Sequence, residues 1–243
     1  MTSLSIEDVA DGVRVLTLDR PAQRNALDLS LTDALSDAMA EFAANADWRV
    51  AIITGRPPAF CAGLDLKTFS APDAPRHKVT ALISGIAEIG KPIIAAVNGA
   101  AYTGGLELAL ACDFIIASDE ARFADTHAKI GALSGSGMGS RLPHAVGYRF
   151  AKQMMLSCAP IDAQTALQAG LVNEITPPSE LLGRAVAIAA QIAQHDPGLI
   201  KTVLEVLDLG SRTSLGEAIA IERDALARRK AQGAMQWTSE HSR

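Results

Sequence analysis

"NGAAYTGGLELALACD", residues 98–113, is the stretch on which the fold turns. Two glycines, Gly104 and Gly105, open a run of helical composition. The N–H groups of a helix's first turn have no partner inside the helix. That end also carries partial positive charge, and glycine lets a ligand come close to the backbone. The spot therefore favours a negative oxygen. Glu107 follows one turn later, among Leu106, Leu108, Ala109 and Leu110. A carboxylate in that company suits proton transfer. An acid in a first turn also simply complements the helix dipole, and the spacing supports both readings.

Two further stretches offer backbone amides. In "AFCAGLDL" (59–66) a strand runs into a turn at Gly63, which leaves the following N–H groups pointing outward. "GALSGSGMGSRLP" (131–143) is another glycine-rich start to a helix. Between these pieces strands and helices alternate. Strands are expected at 13–20, 49–55, 91–99, in "FIIAS" and "ARFAD", and at "LVNEI". Helices are expected at 29–47, where Leu31, Leu35, Ala38, Met39 and Phe42 repeat with helical period, and at 77–90. The strand–helix unit recurs about every 40–50 residues, which suggests a spiral of repeated turns. Short helices follow over 137–170, and 179–230 reads as helical with a break at Pro197. The division expected is a core over 1–178 and a helical region over 179–243, without a flexible linker.

Composition narrows the function. Apolar residues make up 49% of 243 residues but aromatics only 4%, so the core is aliphatic and suits a layered α/β protein. The formal charge is −5 with no long basic run, which argues against nucleic acid as a partner. Cys61, Cys112 and Cys158 form no CxxC pair and read as the reduced thiols of a cytoplasmic protein. "MTSLSIEDVADG" has no apolar run of the kind an export signal needs. The apolar zone 92–118 holds Asn98, Glu107 and Asp113, so buried structure is expected there and not a membrane span. "GSGMG" (135–139) lacks the strand and distant acid of a dinucleotide site. Ser134 and Ser136 sit in no GxSxG elbow, and no HExxH metal spacing occurs. "ERDALARRK" (222–230) reads as a solvated helix face.

Taken in order, five stretches resemble the crotonase superfamily of enoyl-CoA hydratases and isomerases. They are "RPAQRNAL" (20–27), "AFCAGLDLK" (59–67), "NGAAYTGGLELALACD" (98–113), "FADTHAKIG" (123–131) and "AVGYRFAKQMMLSCAPIDAQTALQAGLVNEI" (145–175). The resemblance implies an α/β fold, a crotonase-like spiral of ββα repeats with a helical C-terminal region. It implies an oxyanion hole formed by the N–H groups of Leu64 and Gly104, holding a thioester oxygen as it becomes enolate-like. Coenzyme A would lie along Arg24, Ala26, Ala62, Asp65, Leu66 and Lys67, with Arg24 and Lys67 available to its phosphates. Coenzyme A is then part of the substrate; no separate cofactor, metal or membrane is implied. Family members form trimers or paired trimers.

The chain departs from the family pattern in two places. Glu107 matches the first of the two hydratase carboxylates, but His127 stands where the second belongs. Hydratases commonly read Gln-Pro-Glu there; this chain reads Asp125-Thr126-His127, and Ser134 replaces the following proline. A neutral histidine still exchanges protons near pH 7. If 123–127 is extended, Asp125 and His127 share a face, and Asp125 would orient His127, replace the missing acid, or serve only as a cap. Beyond a helix like 214–228 relatives continue into another helix, where this chain has "AQGAMQWTSEHSR" (231–243), so the trimer expectation carries over in part. The activity expected first is hydration of an enoyl-CoA, with Glu107 and His127 as catalytic groups. Double-bond isomerisation, thioester hydrolysis or decarboxylation are the alternatives, and a non-catalytic acyl-CoA binder is the other class.

Overall fold

The computed structural model describes residues 3–233. The chain divides into two compact units, Met1–Gln194 and His195–Arg243. The first unit opens with β1 (Leu4–Ala10) and β2 (Val13–Leu18), an antiparallel hairpin. β1 was not expected, because Glu7 and Asp8 break the apolar alternation that Leu4 and Ile6 begin. α1 (Leu29–Ala44) follows, started by Asp28, whose side chain accepts from Leu31 N–H at 2.8 Å. Its residues Leu31, Leu35, Ala38, Met39 and Phe42 all face the core, as their spacing requires.

Then comes a repeating pattern: strand, short strand, helix. β3 (Val50–Gly55) and β4 (Ala59–Cys61) lead to α2 (Leu66–Phe69) and α3 (His77–Ile86). β5 (Ile93–Val97) and β6 (Ala100–Tyr102) lead to α4 (Gly104–Ala111). β7 (Phe114–Ser118) and β8 (Arg122–Ala124) lead to a 3₁₀ turn, His127–Ile130. α5 (Met138–Val146), α6 (Tyr148–Ser157), β9 (Ile161–Asp162), α7 (Ala163–Gln168), β10 (Glu174–Thr176) and α8 (Leu181–Ala193) complete the unit. Each turn gives one strand to each of two sheets, ordered β1-β2-β3-β5-β7-β10 and β4-β6-β8-β9. β2 through β10 in the first sheet are parallel, and so are β4, β6 and β8 in the second. This is the spiral that the period suggested.

The first sheet is buried on both faces, which is why β3 and β5 are apolar throughout rather than alternating. One face packs into the main core with α1, α3 and α4. The other meets α8 through Leu181, Ala185, Ala189 and Ala193, a one-per-turn row of mostly small residues that lies against Val15, Ile52 and Ile94. That packing moves the division of the chain. The break expected at 178 falls after Gln194, because α8 covers the sheet and belongs to the first unit. The second unit holds α9 (Pro197–Gly210) and α10 (Leu215–Ala231), the latter opened by a Ser214–Glu217 capping box. Most of the 231–243 stretch, where relatives continue into another helix, lies outside the described residues, which end at 233.

Candidate active site

The site forms where the turn after β4 meets the start of α4. Gly63 has φ +96, a conformation open to glycine, and a Cβ there would stand 3.0 Å from Tyr102 O and 3.1 Å from Gly104 N. A Cβ on Gly105 would stand 2.0 Å from Cys61 O, so α4 reaches this position only because the residue is glycine. Segment 24–28 is zipped onto segment 62–65: Ala62 N–H bonds Arg24 O at 3.0 Å, Leu27 N–H bonds Gly63 O at 2.8 Å, and Asp65 N–H bonds Leu27 O at 2.8 Å. These bonds use the N–H groups of Ala62 and Asp65 but not that of Leu64. Among the described residues, neither Leu64 N–H nor Gly104 N–H meets a backbone acceptor in the turns and loops. The two expected donors are thus neighbours: a Cβ on Gly104 would lie 3.5 Å from Leu64 N.

Thr103, which sequence reasoning missed, sets this geometry. Its φ of 53 and ψ of −112 are strained for a β-branched residue, at about 1–3 kcal/mol. Thr103 N–H bonds Ala124 O at 2.8 Å, and its hydroxyl pairs with that of Thr126, whose N–H reaches Thr103 Oγ1 at 3.3 Å. These contacts hold the sharp corner between β6 and α4. The only sequence signal was a threonine directly ahead of two glycines.

Glu107 is 2% exposed and carries three distinct contacts. Its Oε1 accepts from the Ser134 hydroxyl and from Ser136 N–H at 3.3 Å. Its Oε2 lies 4.0 Å from His127 Nε2. His127 is also built in. Asp125 Oδ1 accepts from His127 Nδ1 at 2.6 Å and from His127 N–H at 3.1 Å. An ionised carboxylate only accepts, so Nδ1 carries a proton and Nε2 is the nitrogen turned to Glu107. Burial draws the His127 pKa down, but the Asp125 hydrogen bond and the charges of Asp125 and Glu107 outweigh it and leave the pKa raised.

This pairing corrects the expected geometry. The strand stops at Ala124, so Asp125 and His127 do not share a strand face. The chain turns instead, and Asp125 receives the amide two residues on, in the manner of an Asx turn. Asp125 is 2% exposed, so it is neither a surface cap nor free to replace the missing acid.

A cavity of about 490 Å³ opens onto these groups, lined among others by Leu64, Thr103, Glu107, His127, Leu133 and Ser136. Ala62 and Leu66 also line it, whereas Arg24 and Lys67 lie exposed nearby in sequence. Ala26 is buried, and its carbonyl accepts from the Arg20 guanidinium. The Asp65 side chain is already committed, to Arg20 at 3.1 Å and to the first turn of α2 through Lys67 N–H and Thr68 N–H. Cys61 does not offer a nucleophile, since burial pushes its thiol up to about 12.

Comparison with known proteins identifies the family. The family model Enoyl-CoA hydratase/isomerase matches residues 8–240. The chain belongs to the enoyl-CoA hydratase/isomerase family. It is 36% identical over 214 residues to the 2,3-dehydroadipyl-CoA hydratase of Escherichia coli (strain K12), covering 87% of this chain and 84% of that protein. It is 37% identical over 218 residues to the (E)-benzylidenesuccinyl-CoA hydratase of Thauera aromatica, covering 87% and 85%. Among solved structures, an enoyl-CoA hydratase from Bacillus anthracis superposes with a TM-score of 0.89 at 32% identity, covering 93% of this chain and 90% of that one. Membership in this family also gives the fold its name, the crotonase fold.

Proposed function

We propose that this chain adds water across the 2,3 double bond of an enoyl-CoA thioester. The observation that carries the reading is the facing pair, Glu107 Oε2 and His127 Nε2, 4.0 Å apart on the wall of a cavity that Leu64 also lines. A water oxygen about 2.8 Å from each, an ordinary hydrogen-bond length, fits over that gap. Hydration needs one group to take a proton and another to give one. A pair holding a single proton supplies both.

The steps follow from the contacts. Leu64 and Gly104 N–H groups hold the thioester oxygen, and each such donor is worth about 3–4 kcal/mol as charge develops there. Glu107 Oε2 takes a proton from water while the water oxygen bonds to C3. The π electrons move to the thioester oxygen. His127 Nε2–H then gives its proton to C2 and the enolate collapses. One proton moved from Glu107 back to His127 resets the site. The raised pKa of His127 favours the starting state, imidazolium beside carboxylate. Relatives named as a probable enoyl-CoA hydratase and as a 2,3-dehydroadipyl-CoA hydratase support the same reading.

The coenzyme A part is proposed to run along Arg24, Ala26, Ala62 and 65–67, with Arg24 and Lys67 at the phosphates, and no cofactor beyond the substrate is proposed. Assembly with copies of the chain, as a trimer or paired trimers, is supported by α9: none of its residues is buried, and Leu199, Val203 and Leu207 form an exposed apolar row at one-turn spacing. No helix among the described residues is long and apolar enough to cross a membrane; a cytoplasmic place is proposed, resting on the sequence.

The test is to incubate purified protein with crotonyl-CoA, a 3-enoyl-CoA and a saturated acyl-CoA, and follow products by mass. Gain of the mass of water by crotonyl-CoA is expected. A product only from the 3-enoyl-CoA would instead mean isomerisation, and release of free CoA would mean hydrolysis. Binding without any product would leave a non-catalytic binder.

A further inference from the structure

Ser134 stands between two partners. Its Oγ accepts from Met138 N–H at 3.1 Å, at the start of α5, and bonds to Glu107 Oε1. A serine hydroxyl has one proton to give. The amide is a donor, so the hydroxyl proton points to Glu107. Ser136 N–H adds a second donor to the same carboxylate oxygen at 3.3 Å. The Ser136 hydroxyl is turned elsewhere, to Thr80 Oγ1 at 3.4 Å. Oε1 therefore receives two donors, and a proton on it would displace one of them. Oε2 receives neither and faces His127 Nε2.

We infer that Ser134 is a positioning residue that keeps protons off Glu107 Oε1 and confines proton transfer to Oε2, the oxygen facing His127. The inference rests on the hydratase reading and adds a group that the resemblance does not supply, since proline commonly occupies this position in relatives. The α5 backbone fixes the direction of the serine, and the serine fixes which oxygen of Glu107 works. A hydroxyl at 134 thereby occupies Oε1 and leaves Oε2 as the oxygen facing Nε2, so that one oxygen serves one nitrogen.

The experiment measures crotonyl-CoA hydration by wild type and Ser134→Ala, alone and combined with Glu107→Gln. The expected result is a kcat about tenfold lower in Ser134→Ala with KM within about twofold, restored to within about threefold by Ser134→Thr, which keeps the hydroxyl. In the Glu107→Gln background the same change should alter the residual rate by less than about twofold, because the group it serves no longer transfers protons. A kcat within twofold of wild type overturns the inference. So does an equal loss in both backgrounds, since Ser134 would then act through the fold. If the alanine variant does not fold, Ser134→Cys, similar in size with a weak donor, should show the same kcat loss, and full activity in it overturns the inference. A wild type that hydrates nothing sinks the hydratase reading and this inference together; hydration with an unaffected Ser134→Ala sinks only the inference.

Discussion

Replacing Asp125 by Asn probes the acid role of His127 most directly. The substitution keeps the shape and one acceptor oxygen and removes the charge. Asp125 is 2% exposed and meets His127 Nδ1 at 2.6 Å, so solvent screens the contact little. Hydrogen bonds involving a charged group contribute about 1.5–3 kcal/mol. At tenfold per about 1.4 kcal/mol, the hydration rate near neutral pH should fall about 10- to 100-fold. The sign with pH follows from the direction of the shift. The folded pKa of His127 lies above its ordinary 6.5, so the imidazolium acid is present below the folded pKa and is lost as pH rises through it. Without the Asp125 charge the folded pKa falls, and the alkaline limb of kcat should move to lower pH. Stability behaves alike. The contribution from the raised pKa is complete below about 6.5 and vanishes as pH rises through the folded value. Asp125→Asn should therefore lose stability mainly at acid and neutral pH. Initial rates of crotonyl-CoA hydration from pH 5 to 9, beside thermal melts over the same range, measure both; this range brackets the ordinary value of about 6.5. An unmoved alkaline limb with a rate within twofold of wild type would refute the acid role of His127.

Other substitutions separate the remaining parts. Glu107→Gln removes the base but keeps the shape, so kcat should drop about 10²–10⁴-fold while CoA affinity by calorimetry stays within a few fold; intact turnover would remove Glu107 from the mechanism. His127→Ala should lower hydration about 10²-fold or more, and an unchanged rate would make it a space-filling residue. Gly105→Ala forces a Cβ onto the Cys61 carbonyl, 2.0 Å away, so α4 must shift. Overpacking of this kind costs about 1–3 kcal/mol, or several degrees in Tm for a domain of this size. A melt within a degree of wild type would mean that the contact between β4 and α4 is looser than described.

Much of this protein was legible in its sequence because the deciding features are local. The glycine at 105 is required by the approach of the Cys61 carbonyl and that at 63 by its positive φ, and only one residue type meets those needs. The apolar runs at 50–55 and 93–97 announce strands buried on both faces. Glu107 was found through its distance from the helix start. β1 escaped because Glu7 and Asp8 hide a strand whose neighbour supplies the pairing. The place of α8 escaped because a row of alanines reads as helix but not as what the helix covers.

The sequence by itself determined the spiral and the family, and it marked Glu107 and His127 as candidate site residues, since propensity, periodicity and motif order act over short stretches. Only the tertiary structure decided how those two groups meet. Asp125 turns His127 through a local bend rather than along a strand, and Ser134 arrives from another segment to hold the far oxygen of Glu107. Thr103 keeps its strained corner through Ala124 and Thr126, about twenty residues on in the chain. Proton transfer depends on tenths of an ångström between side chains brought together by different turns of the spiral, and that distance is set by packing, not by any one stretch of residues.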